Sequence, residues 1–149
     1  MKRLCVKLSK RQRRLTPLPF ARYLLARVLE MHPAERVAVL WCCPRSLYGL
    51  LWPQVQIWTA RNDARRYAGP WPVICHPPCG PWGVWAWKSR ESREHGLIAL
   101  EMVHRWGGVV EQPAGSQLFK MHGRGGVVEK VSQGDFGHLA RKDTLLYWV

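Results

Sequence analysis

The stretch CHPPCGPWG, residues 75–83, places a cysteine in a loop of prolines and glycines directly after the apolar run 72–74. Prolines restrict the backbone, so Cys79 is held in one position, which suits a nucleophilic thiol. Cysteine reacts as its thiolate, and its ordinary pKa of about 8.5 leaves only a small thiolate fraction at neutral pH. We therefore expect His76 and nearby helix N-termini to lower the pKa of Cys79.

Two other interpretations of Cys79 are open. A cysteine is often a small buried apolar residue with no chemical role. Cys75, His76 and Cys79 also carry metal-binding groups, but the chain has no second Cys or His pair at the spacing that a zinc site needs. Cys75 belongs to the preceding strand and is expected to point away from the loop. The sequence thus predicts no metal site.

Glu111 is the second candidate for a chemical role. It stands in the segment GVVEQP, residues 108–113, after another short apolar run. Such a glutamate can also be a solvated turn residue. It becomes a candidate through its pairing with Cys79, because a thiol and a carboxyl group together can perform covalent and acid–base catalysis.

Apolar periodicity predicts the elements that position these two residues. A helix is expected from its cap at Thr16 to Met31, with Pro17 or Pro19 in its first turn. Six runs have the length and composition of strands: 37–42, 55–58, 71–75, 109–111, 127–131 and 145–149. Further helical segments are expected at 63–67, 91–106 and 116–122.

Alternating strands and helices predict one small α/β domain with a Rossmann-like, mostly parallel sheet flanked by helices. We expect this domain to span 16–149 and to be preceded by a basic, flexible arm over 1–15. In such sheets ligands bind beyond the carboxyl ends of the strands. The Cys79 loop follows one strand and Glu111 ends another, so the two should converge on one cleft.

Three segments together resemble DNA cytosine-carbon-5 methyltransferases. Residues 73–79, VICHPPC, resemble the strand and Pro-Cys loop of that family, and residues 108–113, GVVEQP, resemble its Glu-Asn-Pro or Glu-Asn-Val motif. Residues 134–142, GDFGHLARK, are similar in position to its Tyr-Gly-x-Pro-Gln-x-Arg segment. The His-Pro-Pro-Cys loop is also similar to that of short phage-encoded relatives. The resemblance implies a phage or prophage protein that modifies DNA.

The resemblance implies a role for each candidate residue. Cys79 would attack carbon 6 of a cytosine flipped out of DNA, and Glu111 would contact ring nitrogen 3 and the exocyclic amine. Addition at carbon 6 makes carbon 5 nucleophilic. The same addition activates uracil and thymine, so another pyrimidine modification would use the same pair. His76, Trp82 and Arg141 would bind the substrate.

Tryptophans follow the cysteine loop closely, as Trp82, Trp85 and Trp87. Their rings are suited to stack on an extruded base or to fill the gap that it leaves. Such rings are more often part of the core, in a chain with nine tryptophans.

The methyl donor of the family is S-adenosylmethionine, which the resemblance therefore implies as the cofactor. Its binding residues are expected after the first strand and at the end of the second. The loop 42–49 lacks a Gly-x-Gly turn, which leaves Cys43 and Ser46 as candidates. Asp63 is the nearest substitute for the acidic residue at the second position.

Charge indicates nucleic acid as the partner. The formal net charge is +13, and seven cationic side chains lie within the first fourteen residues. Basic arms commonly contact phosphates, although a solvated tail without a partner is the alternative. DNA is the partner that the resemblance implies, with a second protein supplying target recognition. The alternative to an enzyme is a binding protein: a catalytically inactive relative of these methyltransferases that binds nucleic acid or a host protein.

Composition also predicts a location. No run of about 18 uncharged apolar residues is present to span a membrane, and no apolar stretch follows the basic N-terminus as in a secretory signal. The five cysteines are an odd number and suit a reducing compartment. We expect a cytoplasmic protein without membrane contact, in the host cell if it is phage-encoded.

Overall fold

The computed structural model describes residues 18–43, 46–51, 53–59 and 61–149. Its helices are α1 (Leu18–Met31), α2 (Glu94–Trp106) and α3 (Leu118–His122), and its strands are β1 (Val37–Leu40), β2 (Val55–Ile57), β3 (Val73–Cys75), β4 (Gly108–Pro113), β5 (Val127–Ser132) and β6 (Asp143–Trp148). Each lies where apolar periodicity predicts an element. The predicted arm over 1–15 and the cap at Thr16 lie outside the described residues. No helix in the described part of the chain combines the length and apolar character needed to cross a membrane.

The six strands form one sheet in the order β2-β1-β3-β4-β6-β5. β2, β1, β3 and β4 are parallel to one another, whereas β6 is antiparallel to both β4 and β5. The fold is therefore a small α/β domain with a mixed sheet, and a mostly parallel sheet is not confirmed. β5 and β6 are joined without a crossover helix, and strands connected in that way pair antiparallel.

Helices cover both faces of the sheet. On one face, Leu24 and Val28 of α1 belong to the same buried cluster as Ile74 of β3. On the other face, Val103 of α2 belongs to the same buried cluster as Val73 of β3. Consecutive residues of one strand thus enter opposite cores, which explains why the central strands are apolar without interruption.

Two glycines with positive φ angles join α2 to β4, Gly107 at 75° and Gly108 at 124°. A Cβ on Gly108 would overlap the carbonyl group of Val73, so β4 approaches β3 as closely as only glycine permits. The pairing places Val110 opposite Cys75. Glu111, the next residue, therefore lies beside the end of β3.

Candidate functional site

His76 and Glu111 form a buried pair at the carboxyl ends of β3 and β4. Nδ1 of His76 lies 3.1 Å from Oε2 of Glu111. Only 14% of the His76 side chain and 11% of the Glu111 side chain are exposed. An ionised carboxylate can only accept hydrogen bonds, so the N–H group at Nδ1 of His76 donates this hydrogen bond to Oε2 of Glu111.

Three further side chains extend this pair into a hydrogen-bond network. Tyr48 Oη lies 3.1 Å from Nε2 of His76, and Nε2 of Gln133 donates to Oε1 of Glu111 over 3.3 Å. The same amide donates to Oγ1 of Thr144 over 3.0 Å. Tyr48, Gln133 and Thr144 are all buried. Sequence analysis missed these three residues, because no local pattern around them distinguishes a network partner from a turn or strand residue.

The network keeps Glu111 ionised. Burial raises the pKa of Glu111, but the hydrogen bond and charge of His76, the charge of Lys142 and a hydrogen bond from the Thr144 hydroxyl lower it by more, so the net shift is downward. Hydrogen bonds and nearby cations thus replace the water that an exposed carboxylate would have. Lys142 is a further site residue that sequence analysis missed.

The lowered pKa of Glu111 predicts a loss of stability in acid. Such a carboxyl group stabilises the fold above its unfolded pKa of about 4.3, and this contribution disappears as the pH falls through the lower folded value. We expect the free energy of unfolding to fall more steeply below about pH 4.5 in the wild type than in Glu111→Gln, which lacks the titrating group. Urea unfolding at a series of pH values measures both slopes. Parallel slopes would contradict the downward shift.

Gln112 joins the Cys79 loop to β4. Its Nε2 donates to the carbonyl oxygen of Pro77 over 2.8 Å, and its Oε1 accepts a hydrogen bond from Oγ of Ser116 over 3.0 Å. Gln112 is buried, so water does not compete for these bonds. The two segments that were expected to converge are therefore connected directly, one residue after Glu111.

Cys79 is exposed as a residue, but the surroundings of its thiol favour the protonated form. Burial of the thiol raises the pKa of Cys79 and the charge of Glu111 raises it further, whereas Lys142 lowers it, and the net shift is upward. The expectation that His76 and a helix N-terminus lower this pKa is therefore wrong. Both ring nitrogens of His76 are engaged by other side chains, and only a short 3-10 turn, Gly80–Trp82, begins at Cys79.

A groove of about 390 Å³ opens beside Cys79, and we call it the thiol groove. Its walls include Val84, Trp85, Lys88 and Ser116. Its volume lies within the range of small-ligand pockets and is sufficient for a single pyrimidine ring.

A larger cleft of about 740 Å³ opens beyond the carboxyl ends of β1, β2 and β3, and we call it the strand-end cleft. Cys43 and Asp63, two of the predicted cofactor-binding residues, line it together with His76. Ser46, the third, uses its Oγ to accept the backbone N–H of Tyr48 over 3.2 Å. The cleft lies where ligands of α/β domains usually bind.

The strand-end cleft has charged and aromatic walls. Arg65 places Nη2 at 2.9 Å from Oδ2 of Asp63, and its hydrogen bonds lower the pKa of Asp63. Trp41, directly after β1, has a φ of 56°, in the left-handed region that bulky residues rarely adopt. Its Nε1 donates to Nδ1 of His95 over 3.0 Å. A tryptophan thus turns the chain where cofactor-binding turns usually have glycine.

Trp82 and Arg141, both expected to bind substrate, are placed differently by the structure. Trp82 is 2% exposed and packs edge-on against His122 in the core under α2, so its ring is not free to stack on a base. Gly96 of α2 lies so close to the indole that a Cβ would collide with it. The Arg141 side chain is 81% exposed and pairs with Asp143 at 3.0 Å.

The positions of the candidate ligands do not support the alternative of a metal site. Cys75 is buried in the core on the α2 side of the sheet, while His76 is occupied by Glu111. Across residues 18–43, 46–51, 53–59 and 61–149, no three His, Cys, Asp or Glu side chains are grouped so that they could hold a metal ion.

The thiol groove, the strand-end cleft and the His76–Glu111 network all lie at the carboxyl edge of the parallel strands. Comparison of the chain with protein-family models, with curated proteins and with solved structures found no match.

Proposed function

We propose that this chain is a methyltransferase-like protein that modifies a pyrimidine base turned out of DNA, with Cys79 as nucleophile and Glu111 as the residue that binds the base. The observation that carries the proposal is the buried hydrogen bond from Gln112 to Pro77, which holds the Cys79 loop against the end of β4. The four parallel strands with helices on both faces also agree with a Rossmann-like domain.

The proposed chemistry needs one covalent bond to the protein. Cys79 gives its proton to water, and its sulfur adds to carbon 6 of the base, which makes carbon 5 nucleophilic. S-adenosylmethionine, when bound, would supply the methyl group to carbon 5 and leave as S-adenosylhomocysteine. Carbon 5 then gives up its proton to water, the bond between sulfur and carbon 6 breaks, which restores the ring, and the thiolate takes up a proton again. Because burial raises the pKa of Cys79, removal of the thiol proton is part of the barrier.

An ionised Glu111 favours cytosine as the base. Its carboxylate can accept a hydrogen bond from the exocyclic amino group of cytosine, whereas uracil and thymine present a carbonyl oxygen at that position. To bind the base, one carboxylate oxygen of Glu111 must lose its present hydrogen-bond donor and accept a hydrogen bond from the base instead. The 3.3 Å bond from Gln133 is longer than the 3.1 Å bond from His76, so Oε1 is the oxygen to exchange. His76 would keep the carboxylate in place.

The residues of the strand-end cleft fit S-adenosylmethionine as the methyl donor. The cleft volume of about 740 Å³ lies within the range of small-ligand sites. Asp63 and Arg90 offer partners of both signs for a zwitterionic ligand, and Trp41 offers an aromatic face. These three residues would hold the cofactor, and Cys43 also lines the cleft.

Titration calorimetry with S-adenosylmethionine, with and without a short DNA duplex, tests this proposal. We expect stoichiometric binding that Asp63→Asn weakens by about 10- to 100-fold, since a hydrogen bond to a charged group contributes about 1.5–3 kcal/mol. Asp135→Asn removes the same charge from an exposed position of the turn Gln133–Phe136 and serves as the control. Absence of binding in both conditions would refute the methyltransferase-like function.

A second candidate function is binding without catalysis. The chain would then be an inactive relative of the methyltransferases that binds nucleic acid or a host protein. The observation that favours it is the raised pKa of Cys79, caused by burial, since a catalytic thiol usually has a lowered one. Under this alternative the protein retains its affinity for nucleic acid or a host protein, and the calorimetric titration shows no heat of cofactor binding. The first candidate function, an active methyltransferase, is compatible with a second protein that recognises the target sequence.

A further inference from the structure

The turn that follows the proline loop exposes two tryptophans. Trp85 is 65% exposed and Trp87 is 74% exposed, and among the described tryptophans these two are the exposed ones. The 3-10 turn Ala86–Lys88 buries none of its residues. Large apolar side chains grouped on a surface usually mark a binding site, because their exposure to water is unfavourable. We define the aromatic patch as Val84, Trp85, Trp87 and Lys88.

A cation lies over both rings of the aromatic patch. Nζ of Lys88 is 5.0 Å from the ring centroid of Trp85 and 4.6 Å from that of Trp87. Its ammonium group still has N–H donors for a phosphate oxygen. Arg90 follows two residues later, and the net charge of the chain is +13. The patch therefore combines ring faces with positive charge, which suits a polyanion that carries flat rings.

Nucleic acid has both properties, and its unpaired form fits the patch better than a duplex. Neighbouring base pairs cover the faces of bases in a duplex, whereas a single strand exposes them for stacking on aromatic side chains. The rings of Trp85 and Trp87 lie 6.3 Å apart at 57° to each other, so each ring offers its own face. Trp85 and Lys88 also line the thiol groove, which has room for a further base.

We propose that the aromatic patch binds single-stranded nucleic acid, with unpaired bases stacked on Trp85 and Trp87 and a backbone phosphate bound by Lys88. An acidic protein surface would attract Lys88 but would give the two rings no flat partners. The proposal goes beyond methyl transfer, because this binding needs neither a cofactor nor the thiol of Cys79.

Fluorescence anisotropy of a labelled oligothymidylate with the full-length chain tests the proposal. An abasic oligomer with the same number of phosphates measures the contribution of charge alone. We expect the wild type to bind oligothymidylate about tenfold or more tightly than the abasic oligomer, and we expect Trp85→Ala and Trp87→Ala each to remove most of that preference. Leu50→Ala, at an exposed apolar position beside α1, is the control and should keep it.

The charge of Lys88 is tested in the same assay. Lys88→Ala should weaken binding of both oligomers alike, and by more than Arg22→Ala, which removes one positive charge from an exposed position of α1. Cys79→Ser should bind like the wild type, which separates this proposal from the catalytic one.

Two results would overturn the single-strand proposal. Equal affinity of the wild type for oligothymidylate and the abasic oligomer would mean that charge alone accounts for binding. Full retention of oligothymidylate affinity by the double variant Trp85→Ala, Trp87→Ala would remove the rings from nucleic-acid binding and assign the patch to a protein partner instead.

Discussion

Cys79→Ser is expected to reduce base modification by about 10³-fold or more, because a serine hydroxyl is a much weaker nucleophile than a thiolate. The measurement is transfer of a labelled methyl group to DNA under single-turnover conditions. The affinity for nucleic acid and its salt dependence should stay the same, since phosphate contacts do not involve the thiol. Loss of affinity in parallel with activity would instead indicate that Cys79 supports the shape of its loop.

Trapping of the covalent bond provides a second readout for Cys79. In DNA that contains 5-fluorocytosine, and with S-adenosylmethionine present, fluorine takes the place of the proton that normally leaves carbon 5 after methyl transfer, so the bond between Sγ of Cys79 and carbon 6 persists. The wild type should then migrate with the DNA in a denaturing gel. Cys5→Ser, which removes a thiol from the N-terminal segment, is the matched control and should form the same adduct. An adduct with Cys79→Ser would assign the nucleophile to another cysteine.

His76→Leu is expected to lower the free energy of unfolding by about 3–5 kcal/mol at neutral pH, because it leaves a buried carboxylate without its partner. The Glu111 side chain is 11% exposed, and its Oε2 lies 3.1 Å from His76. Leucine fills a similar volume but cannot donate a hydrogen bond. Urea unfolding followed by circular dichroism measures the difference.

A double-mutant cycle distinguishes this electrostatic cause from a loss of packing. Glu111→Gln combined with His76→Leu leaves no buried charge, so the double variant should be more stable than the sum of the two single changes predicts. Additive effects in the cycle would show that His76 and Glu111 do not stabilise each other.

Local sequence was sufficient to predict the helices and strands around the site. Apolar spacing within α1 and α2, and the short apolar runs of β1 and β3, depend on residues only a few positions apart. The direction of a strand in the sheet does not depend on such local spacing. The run 145–149 has the same side-chain pattern in a parallel and an antiparallel strand, so the sequence could not show that β6 runs against β4.

The approach of the Cys79 loop to the end of β4 was also predictable, because β3 and β4 are parallel and their carboxyl ends lie at the same edge of the sheet. The convergence of Cys79 and Glu111 on one cleft stays a prediction, since Cys79 lines the thiol groove and Glu111 does not. The upward shift of the pKa of Cys79 was not predictable from the sequence. It depends on how deeply the thiol is buried and on the charges of Glu111 and Lys142, which the fold brings near it. The prediction assumed that His76 is free to assist Cys79, whereas Glu111 and Tyr48 occupy both of its ring nitrogens.

The three tryptophans after the cysteine loop show where local information ends. Trp82, Trp85 and Trp87 are the same residue type within six positions, and the sequence alone supports either a core or a binding role for each. Tertiary packing places Trp82 against Gly96 of α2 and leaves the other two in water. The sequence by itself determined the secondary structure and the edge of the sheet at which the site forms. Only the tertiary structure decided which side chains are buried, paired or exposed there, because those properties depend on atoms from distant parts of the chain.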